Sequence, residues 1–427
     1  MKKTLRLVAF MLLALVLTAA VAVLLIVKLV LAPEKGEWST RAQLGPVSFD
    51  VGVPTAVRLL TSHWFAPQLD GRVVDTRFGT VRMRWLAQTN ALELDCAPCS
   101  VDVPALGSQP VRVERLVGTV RRDASQLSGT LVATPPASAA PGNAGASVAN
   151  SGLRGRWDGR LSSTALQLNI DMQDGPLAQW YAVLVPGLPE LQRARIGGTM
   201  ALRGQFALPA RSFSLQPQIA HFTVAGLGTE ALLDARSSCG ASARLANDSW
   251  LARAVLAAED QRFFTHAGYD LTELTASIDH NQQSGRAERG GSTLSQQLAK
   301  LLVTGDARTA ERKLRELLYA VEMEQTLGKA RILQHYLDNA PWGANLCGAE
   351  AASRHYFQRS AARLEPAQAV WLAAMLRNPQ AAVAQWQRDG AIDTARATWV
   401  AEGIRGIPRR QREALLKSVA AAKFAPP

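Results

Sequence analysis

The sequence predicts a multidomain α+β protein with an N-terminal transmembrane helix, an antiparallel β-rich domain and a C-terminal all-α domain. Three observations carry this reading. Residues 7–27 form a run of 21 without a charge; from about residue 38 to 225 apolar and polar residues alternate in short runs broken by glycine; and from about residue 245 Ala, Leu, Arg and Glu recur at helical spacing. At 427 residues the chain has room for two or three cores. Its formal charge of +12 favours an anionic partner, and the apolar N-terminus makes that partner an acidic membrane surface or a phosphorylated substrate rather than nucleic acid.

The apolar run is long enough to cross a bilayer as a helix, and Lys2, Lys3 and Arg6 precede it. By the positive-inside rule those cations stay cytoplasmic, so residues 1–32 read as a stub and anchor and all that follows faces the periplasm of a bacterial inner membrane. The alternative is a cleaved signal peptide, since Ala20, Val21 and Ala22 have the small-x-small form a signal peptidase accepts.

Residues 36–228 read as the β-rich domain. Val81 to Trp85, Val111 to Val117 and Leu166 to Asp171 alternate with period two, as strands with one buried face do. Residues 133–152, rich in Ala, Pro, Ser, Gly and Asn, read as a disordered loop, because they cannot bury enough apolar surface to offset their ordering entropy. The repeated form of short strand, glycine turn and short strand is similar in composition to AsmA-like β-sheet proteins of the bacterial envelope. A sheet that spaces the rest from the membrane, or binds other cell-wall proteins, fits the same pattern.

Residues 236–385 read as a helical domain, 386–427 as C-terminal helices and tail, and 380–427 together as one or two further helices with a frayed end. Leu298, Leu301 and Leu302, and again Leu314, Leu317 and Leu318, fall at i, i+3 and i+4, which gives each helix a buried stripe. Pro366 opens a helix and Pro379 is expected to end it. Four cysteines in an exported chain can pair. Cys96 and Cys99 have redox-motif spacing but follow a strand, so a structural bridge or two thiols are expected; a Cys239–Cys347 bridge is a hypothesis.

Three blocks in the helical half carry chemistry. The first is Glu259 and Asp260, then Phe263, Phe264, His266, Gly268 and Asp270. Glu259 follows an apolar stretch, where desolvation would raise a carboxyl toward the range of a general base. His266 is expected to order the loop behind it, and Phe264 to be a core aromatic. The second runs from Arg289 through Gly290, Gly291, Ser292 and Thr293 to Gln296, Gln297 and Lys300, with a capped helix end turned toward an anion. The third is Arg312, Lys313 and Glu316, whose ends share a helix face. Lys329, Tyr336 and residues 348–357 extend the series.

In this order the blocks resemble the signature of the peptidoglycan glycosyltransferases, family 51, and residues 348–357 resemble its monofunctional branch. No Ser-x-x-Lys with Lys-Thr-Gly follows. The resemblance covers about residues 251–379 and implies a lysozyme-like helical glycosyltransferase domain. It implies lipid II and the nascent glycan strand as substrates, with Glu259 as base and Glu316 assisting departure of undecaprenyl pyrophosphate. Asp260, Phe263, His266, Gly291, Ser292, Thr293, Gln296, Gln297, Lys300, Arg312, Lys313, Lys329 and Tyr336 complete the expected site. No cofactor is required; Mg2+ or Mn2+ at the pyrophosphate is admitted, although no Asp/His cluster demands it. Leu294 and Ser295 depart mildly from the family's second motif, and Gln334, Asp338, Asn345, Cys347 and Gln368 depart from its pattern elsewhere. Two rivals stand beside this reading: a glycan-cleaving enzyme of the same fold, and a non-catalytic lipid-binding or scaffold protein with a degenerate transferase domain.

Overall fold

Period-two alternation is realised as one large antiparallel meander. The computed structural model describes residues 25, 28–44, 47–101, 110–136, 152–284, 290–307, 309–343 and 345–425. A hairpin of β1 (Ser39–Leu44) and β2 (Val47–Gly52) precedes a ten-stranded sheet. That sheet comprises β3 (Val73–Thr76), β4 (Gly79–Leu86), β5 (Ala91–Val101), β6 (Val111–Val113), β7 (Arg115–Asp123), β8 (Gln126–Thr134), β9 (Leu153–Leu161), β10 (Leu166–Pro176), β11 (Arg195–Leu208) and β12 (Ser212–Ala225). Its order is β12-β11-β10-β9-β8-β7-β5-β4-β3, with β6 on β5.

Register keeps one face apolar. Leu166 lies between Leu161 and Leu208, and Ile170 between Trp157 and Gly204. Trp157 crosses β8 at Gly129 to donate to the Thr119 carbonyl at 3.0 Å, and a Cβ on Gly129 would sit 1.7 Å from that oxygen, so only glycine fits there.

Two helices interrupt this region that the alternation did not announce. The first, α1 (Val53–Leu60), packs on β2; the second, α2 (Leu177–Leu184), is buried along nearly its whole length. Its Trp180 and Val183 close the sheet's apolar end against Val111, Val113, Ala133, Leu153 and Met172. Of the loop expected over 133–152, Ala133 and Thr134 are the last residues of β8, paired with β9 or β7, and residues 137–151 lie outside the described residues.

The C-terminal half is helical, as its spacing predicts: α3 (Trp250–Glu259), α4 (Leu271–Ser284), α5 (Leu294–Ala299), α6 (Ala310–Thr326), α7 (Gly328–Asn339), α8 (Ala349–Phe357), α9 (Pro366–Met375), α10 (Pro379–Asp389), α11 (Thr394–Gly403) and α12 (Arg409–Ala421). A small hairpin of β13 (Pro341–Gly343) and β14 (Leu346–Cys347) separates α7 from α8. The apolar face of α3 packs on α9 and α11, burying Leu251, Ala254, Val255, Val370, Trp371 and Val400 in one core. That core runs on into α12 and back into Tyr181 of α2 and Phe222 and Val224 of β12, so packing crosses both residue 385 and the junction with the sheet.

Four local expectations are corrected. Pro379 does not end α9, which stops at Met375; it is the first residue of α10, where its missing N–H costs nothing. Three helices, not one or two, follow from there. After α5 the chain continues as a π-helical turn, Lys300–Thr304, closed by Gly305 N–H donating to Lys300 O at 3.0 Å. The wider turn swings Leu301 out of the expected buried stripe. Phe264 is exposed, while its neighbour Phe263 fills the core.

Cys96 pairs with Cys99, and Cys239 with Cys347. Among the described residues no helix is long and apolar enough to cross a membrane; nearly all of the expected span 7–27 lies outside them.

Candidate active site

Glu259 is the last residue of α3. It lies in a cleft of about 990 Å3 lined by both sequence-singled acids, Glu259 and Glu316, with Gly291, Ser292, Gln297, Lys300, Arg312, Lys313 and Tyr336. Burial pushes the Glu259 carboxyl above its ordinary range, and a hydrogen bond from Gln297 and the nearby Arg396 guanidinium offset part of that rise. The hydrogen bond runs from Gln297 Nε2 to Glu259 Oε2 at 3.1 Å, and Tyr336 Oη donates to Gln297 Oε1 at 3.0 Å. Burial, with Glu259 alongside, lifts the Tyr336 phenol well above its usual value and keeps it a donor. One carboxylate oxygen is therefore fixed. The other, Oε1, is buried with no hydrogen-bond partner among the described residues.

The second acid projects from α6, whose N-cap Thr309 accepts from Arg312 N at 3.1 Å. Glu316 is held by Arg312 through one oxygen and by Lys313 Nζ at 3.2 Å through the other; Lys313 also meets the Ser292 hydroxyl. Burial, with Arg312 and Lys300 close by, pushes the Lys313 ammonium down to about 8. Lys300 lines the same cleft and pairs with Asp306 at 2.8 Å. This end of the cleft thus concentrates three cations, Arg312 and Lys313 on Glu316 and Lys300 on the exposed Asp306, a setting for a polyanion.

Several expected site residues serve the scaffold. Asp260 accepts from Leu294 N at 2.8 Å and from His266 Nε2 at 2.9 Å, which ties the first block to the second. The His266 Nδ1 accepts from Gly268 N at 3.2 Å, so the ring orders the loop, as expected of it. Thr293 caps α5 in a reciprocal box with Gln296 and donates to Gly268 O at 2.7 Å. With Leu294 N and Gln296 N both satisfied internally, the helix end predicted to face an anion does not offer these groups to one. Gly291 lets the loop pass close to α4: a Cβ there would meet Leu274 Cα at 3.1 Å and Ser277 Oγ at 3.2 Å, so a larger residue would push that helix by a few tenths of an ångström.

Phe263 and Lys329, like His266, fall outside the cleft. Phe263 is core, and Lys329 stands behind it, 4.4 Å above the Phe263 ring and 2.7 Å from Glu324, so its charge is committed to the scaffold rather than to a ligand.

Arg377, Arg396, Trp399 and Arg405 line the cleft near Glu259 and were not foreseen. Arg396 lies 3.7 Å from Glu259 Oε1, donates to Ala258 O at 2.7 Å and stacks 4.3 Å from the Trp399 ring. It is 137 positions from Glu259 along the chain, and no local pattern could have joined them. Among the described residues no three His, Cys, Asp or Glu side chains gather to hold a metal ion.

A sheet joined to a helical domain, whose cleft carries a buried carboxylate and a second one clamped by cations, defines the class of frame in which the site is built. Residues 243–404 match the Transglycosylase family model. Proteins described as biosynthetic peptidoglycan transglycosylases are similar to this part of the chain. That of Alcanivorax borkumensis is 48% identical over 130 residues, 30% of this chain and 53% of the relative. That of Chromobacterium violaceum is 47% identical over 130 residues, 30% and 57%, and that of Thiobacillus denitrificans 45% over 137 residues, 32% and 58%. The chain spans somewhat more than half the length of these relatives.

Proposed function

We propose that this chain is a membrane-anchored peptidoglycan glycosyltransferase that polymerises lipid II into β-1,4 glycan, facing the periplasm. The observation that supports this most is the division of labour between two acids in one cleft: Glu259 dry and half-satisfied, Glu316 clamped between cations.

In this reading the acceptor's 4-hydroxyl gives its proton to Glu259 Oε1 as its oxygen attacks the donor anomeric carbon. The new C–O bond forms opposite the bond to pyrophosphate, which breaks with its electron pair, so configuration inverts. Gln297 and Tyr336 hold the base in line. Glu316 acts through its neighbours: by gripping Arg312 and Lys313 it aims both cations at the departing pyrophosphate, whose charge grows in the transition state. A raised Glu259 pKa suits a base that must take a proton near neutral pH and release it again.

Glu259→Gln tests the assignment, because it keeps shape and the contact to Gln297 but cannot accept a proton. Labelled lipid II should no longer be polymerised, while binding stays within about threefold of the wild-type protein. A variant that polymerises at the wild-type rate removes Glu259 as base. Digestion of purified sacculi instead of polymer growth would move the assignment to the glycan-cleaving class.

A further inference from the structure

Helix α6 has two working faces. Arg312, Lys313 and Glu316 point into the cleft. The adjoining side, about a quarter turn round the helix, is held at every turn by residues that precede the family-matched stretch 243–404. Tyr181 Oη donates to Leu314 O at 3.2 Å; Arg315 donates twice to Glu190 Oε1, at 2.6 and 3.0 Å; Arg193 donates to Tyr319 Oη at 3.0 Å. One turn on, the Glu322 carboxylate accepts from Leu227 N at 2.7 Å and Thr229 N at 3.3 Å, and Thr229 and Thr326 hydroxyls meet at 2.8 Å. Glu190 and Glu322 are 2% and 1% exposed. The other cleft wall is held likewise: α4 brings Glu273 and His280 to the cleft, and its Gln282 exchanges two hydrogen bonds with Phe213 of β12, at 2.9 and 2.6 Å.

Buried ion pairs are poor sources of net stability, since desolvation consumes most of their attraction; what they impose is one geometry. A slip of α6 by a single residue moves Glu316 by about 1.5 Å and turns it about 100°. We propose that the sheet domain is a brace for the catalytic helices, with Glu190, Arg315 and Glu322 as positioning residues that fix the register of α6 and hence the placement of Glu316 and Lys313. The proposal rests on the glycosyltransferase reading for its activity readout, but not for its structural one.

The test uses the full chain in detergent. Arg315→Met should lower kcat for lipid II polymerisation about tenfold while KM stays within about threefold, as misplacement of a reacting group does. Arg315→Lys, and the exchange Glu190→Arg with Arg315→Glu, should each recover at least a third of the loss. Hydrogen exchange supplies the readout independent of activity: amides of residues 312–319 should exchange faster in Arg315→Met, with α9 and α11 unchanged. Wild-type kcat in Arg315→Met overturns the brace, as does unaltered exchange in α6, or faster exchange throughout the helical domain with no recovery in the exchanged pair. A wild-type protein that fails to polymerise lipid II counts against the glycosyltransferase reading alone, and the exchange data then decide the brace.

Discussion

Lys313 changes charge inside the range where such a protein is assayed, and that gives anion binding a pH dependence of definite sign. Burial and the adjacent Arg312 and Lys300 hold its ammonium at about 8, against a usual value of 10.5. At that value the side chain is about 90% charged at pH 7 and about 10% charged at pH 9. If the anion binds the charged form, apparent affinity scales with that fraction and falls about tenfold across the interval.

Stability moves the other way. The folded-state pKa lies below the unfolded one, so between about pH 8 and 10.5 the unfolded chain holds more protons here and this group makes folding more favourable as pH rises. Weakened binding at pH 9 therefore cannot be blamed on this lysine loosening the fold. Calorimetric titration with inorganic pyrophosphate from pH 6.5 to 9.5 measures the effect. The Lys313→Arg variant keeps its charge throughout and cancels the ligand's own titration. The wild-type to Lys313→Arg affinity ratio should fall about tenfold between pH 7 and 9, and Glu316→Gln, which removes the carboxylate 3.2 Å from Nζ, should move the break to lower pH. A flat ratio refutes the argument.

Two further outcomes follow from the same physics. Burial raises the Glu259 pKa, so the ionised carboxylate costs folding energy that appears as pH rises from the unfolded value through the folded one. Glu259→Gln should then melt higher than wild type at pH 8 but not at pH 4, by about 1.4 kcal/mol for every tenfold gain in the carboxyl's proton affinity on folding, a net gain that already includes the attraction of Arg396. Melting curves at both pH values check it. Away from the cleft, Asp338 accepts from Ser242 Oγ at 2.7 Å, Ala243 N at 3.1 Å and Gln334 Nε2 at 3.0 Å. Gln334→Glu should cost about 1–3 kcal/mol by facing two carboxylates, and adding Asp338→Asn should restore most of it, which a double-mutant cycle in urea reads directly.

Much of this was legible because it is local. Alternation over 81–85 and 166–171 became β4 and β10; the Thr293 and Gln296 pair became a capping box; Arg312 and Glu316 met at i, i+4. What was not legible depends on partners distant in sequence or on small changes of helical geometry. Buried α2 reads as an apolar run like any core strand, and only the core around Trp180 and Tyr181 decides for helix. A single π turn put Leu301 on the wrong face. Lys329, placed among the ligand's cations by the family resemblance, is consumed by Glu324 five residues before it.

The departures from the family pattern bear on whether the domain still works. A degenerate cleft would show unmatched changes among its lining residues. Here Gln334 and Asp338, which stand where the family usually has Glu and Asn, have traded amide for carboxylate across one hydrogen bond, so the bond survives. Cys347, in place of an aromatic, closes a bridge to Cys239. Asn345 stands for a glycine at a φ of 61°, a left-handed conformation Asn tolerates better than most residues. Gln368 completes a capping box with Glu365 at the start of α9. None of the five lines the cleft, and each has a structural partner or a permitted backbone. Leu294 and Ser295, the mild departures of the second motif, are buried, with Leu294 N–H on Asp260 and the Ser295 hydroxyl on Glu324, so each of these changes is absorbed by the frame around the cleft, as the proposed transferase requires.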